Sequence, residues 1–452
     1  MEASATSSET RIRSKLPSVG GNDEEPTRIE RGALLDAIHA FEGWLSSNGN
    51  LSFDPYDIWG TRYGLAARRL YYRKHPLGLP LIAPLLLMEI VCPSVRSTVV
   101  ERSRFATADA QLLLGFLNLY ASTQQPTYLT SARRLADDLL SYSINGYRGY
   151  CWGYPFDWQN QRGLWERNTP YITCTPYCFE AYLGLHEATG DARFAETAKS
   201  IADFVYHDLR DTETASDAAA ASYSPKDDSQ VINASAYRAW VLFEAGDRFQ
   251  SDEFQEKATR NLNFVLQNQR PDGSWWYAAD SHGRFIDHFH TCFVLKNLFK
   301  LNRITARPGV SDAIRRGYDF YRRELFYPDG NPKSFAVQPR TGIVRLEMYN
   351  FAEAITLGVL LREEIPEAFG LAERLAIRLI EDFQLSDGHF VTRVYNGGIR
   401  HTFPFLRWPQ SQLFLALTNI FAATTGSSQR ATLASSRKAS DASERLQNLK
   451  TH

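Results

Sequence analysis

Residues 109–120 read DAQLLLGFLNLY. Wound as a helix, this stretch carries apolar side chains on nearly every side, and a helix without a polar face has to be buried. The segment that follows behaves differently. From about Thr127 onward, Ala132, Leu135, Ala136 and Leu139 fall at i, i+3, i+4 and i+7, the spacing of a helix with one apolar stripe and one wet face. A buried helix followed by an amphipathic one is the unit from which the rest of the chain is read.

The unit recurs. Segments apolar nearly all round begin near Ala106, Thr169, Gln230, Asp287, Arg345 and Leu406, at intervals of about 60 residues, with residues 178–185 and 412–421 as further examples. Amphipathic segments begin near Arg28, Thr127, Ala192, Asp252, Val310 and Glu367; Ala198, Ile201, Ala202 and Val205 repeat the stripe. Six of each in alternation predict an all-α (α/α)6 toroid, six inner helices wrapped by six outer ones, over residues 29–423. No Val/Ile/Thr alternation long enough for a sheet interrupts them. Residues 1–28 and 424–452 contain no aromatic, are rich in Ser, Thr, Ala and charge, and read as disordered tails.

Composition agrees with one large core. Of 452 residues, 44% are hydrophobic and 13% aromatic, which excludes a disordered chain. Fifty Lys and Arg face 51 Asp and Glu, so the net charge of −1 offers no general attraction to nucleic acid or an anionic membrane. No stretch approaches the roughly 18–20 apolar residues of a membrane span. The polar N-terminus lacks the apolar run of a secretory signal, and five cysteines without a CxxC pair fit a reducing compartment, so a cytoplasmic location is expected.

The connections are unequal. From inner to outer helix they are short and carry turn residues: Gly190-Asp191, Gly246-Asp247, and Pro366. From outer to inner they run over residues 145–168, 209–229, 268–286, 326–344 and 384–405. All five gather at one end of the toroid, over the amino termini of the inner helices, where a site is expected.

Within residues 147–171 lie eight aromatics, among them Trp152, Tyr154, Trp158 and Tyr171, beside Asp157 and Glu166. Flat faces next to carboxylates suit a sugar, whose C–H faces stack while its hydroxyls take hydrogen bonds. The alternative is a loop that packs its own aromatics as a plug. Asp272-Gly273-Ser274-Trp275-Trp276-Tyr277 and the early Asp54-Pro55-Tyr56-Asp57-Ile58-Trp59 add aromatics and carboxylates at the same end, with Trp275, Trp276, Tyr56 and Asp57 as candidate binding residues.

Asp287-His288-Phe289-His290-Thr291-Cys292 opens the fourth inner helix. No second cluster accompanies it, so no metal is expected, and Asp287 or His290 suits general acid/base work better. On the fifth inner helix Glu347, Asn350 and Glu353 are spaced three apart and share a side; carboxylates there need a partner or a wet lumen. Arg393, Arg400, His401 and Arg407 stand before the sixth inner helix, able to hold an anionic group or to pair with Glu347 and Glu353.

With this repeat the chain resembles the six-hairpin (α/α)6 toroid superfamily. Cys151-Trp152-Gly153-Tyr154-Pro155-Phe156-Asp157-Trp158 and Arg407-Trp408-Pro409-Gln410-Ser411-Gln412 look like segments of uncharacterised proteins from bacterial exopolysaccharide and capsule gene clusters, which implies work on a surface glycan. Sugar 2-epimerases of this shape place two histidines on inner-helix heads, which implies His290 and His401 here. Glycoside and glucuronyl hydrolases use Asp or Glu pairs, which implies Asp157 with Glu347 or Asp287. Gln269 to Trp275 also fits the Q-x-x-x-G-x-W repeat of terpene cyclases and prenyltransferases, and residues 384–390 are a degraded copy, but the D-x-D-D and D-D-x-x-D motifs are missing.

The expectation is therefore a cofactor-independent sugar epimerase, isomerase, hydrolase or lyase, its catalytic residues drawn from Asp157, Glu347, His290, Asp287 and His401. Trp152, Tyr154, Trp158, Tyr171, Trp275, Trp276, Tyr56, Asp57, Asn350, Arg407 and Trp408 are expected to bind a sugar or oligosaccharide. A non-catalytic glycan-binding or assembly subunit is the alternative.

Overall fold

The computed structural model describes residues 28–339 and 342–424. The two tails expected from the sequence therefore lie, apart from Arg28 and Thr424, outside the described residues. Helix α1 (Arg31–Asn48) is followed by α2 (Arg62–Tyr72), α3 (Gly78–Val91), α4 (Ala106–Thr123), α5 (Pro126–Ser141), α6 (Thr175–Thr189) and α7 (Ala192–His207). Then come α8 (Ile232–Phe249), α9 (Asp252–Gln267), α10 (His288–Thr305), α11 (Val310–Glu324), α12 (Met348–Leu361), α13 (Pro366–Arg378) and α14 (Ser411–Thr424).

The six apolar segments are the inner helices α4, α6, α8, α10, α12 and α14, and the six amphipathic ones are α1, α5, α7, α9, α11 and α13. In α7 the expected stripe Ala198, Ile201, Ala202 and Val205 is buried. Inner helices pack side by side around the ring, and α14 returns onto α4, so the last hairpin closes on the first. Closure brings helices very near one another. A Cβ on Gly115 of α4 would meet the Phe414 ring of α14 at 2.4 Å.

Turn chemistry explains the short connections. Gly190 ends α6 with φ of +71° and Asp191 caps α7 by accepting the Arg193 amide, while Ser251 does the same for α9 with the Phe254 amide. The long connections are built less simply than expected. They hold four small antiparallel sheets, from β1 (Trp158–Asn160), β2 (Gly163–Trp165), β3 (Asp211–Ala215), β4 (Ala218–Ala221), β5 (Ile286–Asp287), β6 (Phe335–Val337), β7 (Val344–Glu347), β8 (Arg393–Tyr395) and β9 (Arg400–His401). β5 pairs with β6, and β7–β8–β9 form one sheet, so neighbouring loops are hydrogen-bonded to one another across the mouth of the toroid.

The Q-x-x-x-G-x-W repeat has a structural role. Gln269 Nε2 donates to the carbonyls of Gly273 (3.0 Å) and of Ala313 (2.9 Å) on α11, the next outer helix. Gln384 repeats this with Gly388 (2.9 Å) and with Ala37 (2.8 Å) on α1. The glycines press against the same helices: a Cβ on Gly273 would lie 2.2 Å from the Arg316 carbonyl oxygen, and on Gly388 2.0 Å from that of Ala40. Each motif staples one hairpin to the next.

Residues 49–105 depart most from expectation. The sequence offered only Asp54 to Trp59 there as site candidates, whereas the segment folds into α2 and α3 around a small core of Ile58, Trp59, Ala67 and Ile82. No helix of the described residues is long and apolar enough to cross a membrane.

Candidate active site

Asp287 lies at the junction of β5 and α10, and its extended backbone makes it the cap of that inner helix. One carboxylate oxygen accepts the His290 amide at 2.9 Å and the other takes the His290 ring Nδ1 at 2.7 Å. A ring that donates through Nδ1 presents Nε2 as a lone pair, so the carboxylate selects the tautomer able to receive a proton. Asp287 is buried and the His290 side chain is 19% exposed. The imidazole is packed among Tyr277 (4.5 Å between ring centres) and Phe289 (4.3 Å).

A narrow recess opens on this pair. Asn233, Trp276, Tyr277, Asp287, His290 and Thr291 line it. Asn233 comes from α8, the adjacent inner helix, and is 1% exposed, yet neither its amide nitrogen nor its oxygen has a hydrogen-bond partner. Buried polar groups are nearly always bonded, and an amide left with both ends open beside a polarised histidine is a waiting donor and acceptor. Sequence reasoning missed Asn233, one of several polar residues of α8, because its meaning lies in the partners it lacks. With its side chains as they stand, the recess has room for about one water.

The other expected residues fall into three groups. The first is packing. Trp152 and Trp275, at 1% and 3% exposure, donate their indole N–H groups to the carbonyls of Leu139 and Val265, the tails of α5 and α9. Equivalent tryptophans thus lock equivalent hairpins; Trp152 is spent on this bracing, while Trp275 also lines the recess beside Asp287 and His290. Tyr171 is likewise buried, against Trp165 at 5.0 Å. The aromatic loop packs largely on itself, with Tyr147, Tyr154, Phe156 and Trp158 half-buried and Tyr150 exposed.

The second group is a buried charge network. Arg407 forks onto Asp54, with Nη2 to Oδ1 at 2.8 Å, and its guanidinium lies 4.7 Å from the Tyr154 ring centre. Trp408 stacks flat on Tyr349 at 3.8 Å and meets Phe289 edge-on at 5.2 Å. Tyr56 approaches both Trp158 and Trp408. Asp57 is bound by Arg96 Nη1 at 2.7 Å, and burial pushes its carboxyl up to about 7. Arg96 also pairs with Glu89, whose other oxygen is 3.5 Å from His401 Nε2. His401 is sealed, with no exposed side-chain surface, on β9 and not on an inner-helix head. The two-histidine arrangement is therefore not assembled: no ring or carboxylate neighbour is common to His290 and His401 among the described residues.

The third group comprises the carboxylates. Glu347 accepts from Arg393 Nε at 2.9 Å, and burial raises its carboxyl above the ordinary value. Asp157 accepts the Arg167 backbone amide at 2.7 Å within its own loop. Held by separate partners, the two do not form the pair expected of a hydrolase. Glu353 pairs with Lys296 at 2.5 Å across α12 and α10, both buried, beside Tyr177 and Tyr237, whose hydroxyls are 3.3 Å apart. Asn350 donates to Ser334 Oγ at 3.3 Å. Lys296 was overlooked in the sequence, although a lysine on an apolar inner helix needs a buried anion.

Among the described residues no group of three His, Cys, Asp or Glu side chains could hold a metal ion. His288 turns away from His290, with Nδ1 3.2 Å from the carbonyls of Leu325 and Lys333 and Nε2 2.8 Å from the Tyr321 hydroxyl.

No family model and no curated protein matches the sequence. Solved structures do match in shape. A glycosyl hydrolase family 88 protein from Bacteroides vulgatus superposes with a TM-score of 0.55 at 11% identity, covering 88% of this chain and 100% of that one. An unsaturated glucuronyl hydrolase specific for heparin gives 0.56 at 11% identity, over 89% and 97%. A cellobiose 2-epimerase from Bacillus thermoamylovorans gives 0.55 at 11% identity, over 71% and 87%. The architecture is that of the six-hairpin toroids, as the repeat implied.

Proposed function

We propose that the chain is a cofactor-independent, carbohydrate-active enzyme in which His290 moves a proton on a sugar. The observation that carries this reading is the Asp287–His290 pair sharing a recess with the unpartnered amide of Asn233 at the inner-helix amino termini. His290 Nε2 would take a proton from the carbon beside a sugar carbonyl and deliver it to the former carbonyl carbon of the enediol, the neighbouring hydroxyl proton passing to the old carbonyl oxygen, while the Asp287 carboxylate steadies the imidazolium formed between the two steps. Asn233 would hold a sugar hydroxyl or carbonyl oxygen, and half-buried Trp276 and Tyr277 would supply stacking faces. Isomerisation suits one histidine with a placed amide, since one base serves one face of the enediol; two-carboxylate hydrolysis is disfavoured by the separate partners of Asp157 and Glu347. We place the reaction in the making or remodelling of a bacterial exopolysaccharide or capsule, in the cytoplasm.

A second reading is favoured by one observation. The recess is narrow, and a sugar ring would enter only if Trp276 and Tyr277 moved, whereas a glycan-binding or assembly subunit could use the outer aromatics Tyr154 and Trp158 without that opening. The test is a thermal-shift screen of uronic acids, N-acetylhexosamines and their nucleotide derivatives against the intact chain and Asn233→Leu. A ligand at about 100 times its Kd stabilises the folded form by about 2.7 kcal/mol. Stabilisation lost in Asn233→Leu supports the inner site; stabilisation kept by that variant and lost in Trp158→Ala supports the binding subunit.

A further inference from the structure

Helix α3 reads GLPLIAPLLLMEIV and is apolar nearly all round, which in a water-soluble fold calls for burial on every side. It has burial on one side only. Ile82 joins the small core under α2, while Leu77, Leu79, Leu87, Val91 and Val99 are each more than half exposed, in a protein whose other helices keep their apolar residues inside. An apolar surface of this extent is a site of contact with a second apolar phase.

The charge around it is one-sided. Between residues 58 and 100 stand six Lys and Arg and a single carboxylate, Glu89, which is buried against Arg96. Arg62, Arg69 and Arg73 fall at i, i+7 and i+11, one exposed stripe of α2, and exposed Lys74 precedes Leu77 by three residues; these four form no ion pair among the described residues. Tyr63, beside Arg62, donates its hydroxyl to the Leu81 carbonyl of α3 at 2.8 Å, so the two helices run alongside. At 14 residues, α3 is about 21 Å long, short of the roughly 30 Å of a bilayer core.

We propose that α3 and the α2 cations form a docking surface for an anionic lipid membrane, with α3 lying in the headgroup region and Arg62, Arg69, Arg73 and Lys74 facing lipid phosphates. The other possible covers fit less well. A symmetric contact with a second copy would set one cation stripe against another. Residues 1–27 offer four large apolar side chains, Met1, Ile12, Leu16 and Val19, and residues 425–452 offer three leucines in a segment of positive net charge.

The test is flotation of the full chain with vesicles of phosphatidylcholine alone and of phosphatidylcholine mixed with phosphatidylglycerol. Binding to the mixed vesicles and not to the neutral ones is expected, weakening as salt is raised. Each cation removed, in Arg69→Ala and Arg73→Ala, should weaken binding roughly five-fold, and Leu79→Gln with Leu87→Gln should weaken it by at least about ten-fold. All four positions are exposed, and an unchanged melting temperature checks the variants; the vesicle preference of the unaltered chain needs no variant. Failure to float with either vesicle overturns the proposal. So does a dimer in solution that Leu79→Gln and Leu87→Gln dissociate, which would make the face an interface between copies.

Discussion

His288 and His290 stand two residues apart on one helix, and their surroundings give them opposite chemistry. His288 is enclosed by two carbonyls and a tyrosine hydroxyl, and burial pushes its imidazole down to about 3. Because the folded state refuses a proton that the unfolded chain accepts below pH about 6.5, stability falls as the pH drops through that window and this contribution levels off below about 3. Urea unfolding at several pH values should show a slope of about 1.4 kcal/mol per pH unit between those limits that His288→Gln lacks. His290 instead lines the recess, with Nδ1 held by Asp287. His290→Ala should lower turnover about 10²- to 10⁴-fold with the melting temperature little changed, and Asp287→Asn, which still caps α10, should share much of that loss because an amide oxygen stabilises an imidazolium poorly. The Asp287–His290 pair was legible because three-residue spacing at a helix head places side chain and cap together. Asn233 was not, since its meaning lies in which partners it lacks. The bracing role of Trp152 and Trp275 was not legible, because an indole near a site loop and an indole bracing a helix end look alike in sequence.

At the level of elements, the twelve toroid helices were readable from period alone: inner helices lack a polar face and outer ones have a single stripe. The loop strands, two to five residues long, are too short to show alternation. Helix α3 escaped because Pro80 and Pro84 interrupt its apolar run and it stands outside the alternation of inner and outer helices. The staples formed by Gln269 and Gln384 bind one hairpin to the next, so their loss should be felt globally. Gln384→Ala removes the bonds to the Ala37 and Gly388 carbonyls and should cost about 1–3 kcal/mol in denaturant unfolding, with activity at saturating substrate retained. Gly388→Ala should be worse, since its methyl would overlap the Ala40 carbonyl at a φ of +100°.

For the whole molecule, net charge proved a poor guide to local fields. A total of −1 hides a segment with six Lys and Arg and one buried carboxylate, a local imbalance that the net charge averages away. Shape has a similar limit. Toroids with TM-scores near 0.55 and about 11% identity include hydrolases and an epimerase, so the architecture alone selects no reaction, and the reading rests on the site where α8 and α10 meet. The most direct measurement is proton NMR of a sugar panel, aldoses, ketoses, uronic acids and N-acetylhexosamines, incubated in D2O with the intact chain and with His290→Ala. Conversion of one member with deuterium entering beside its carbonyl, slowed at least about 100-fold in His290→Ala, is the predicted result. Conversion undiminished in His290→Ala, or no exchange in a sugar that demonstrably binds, would contradict it.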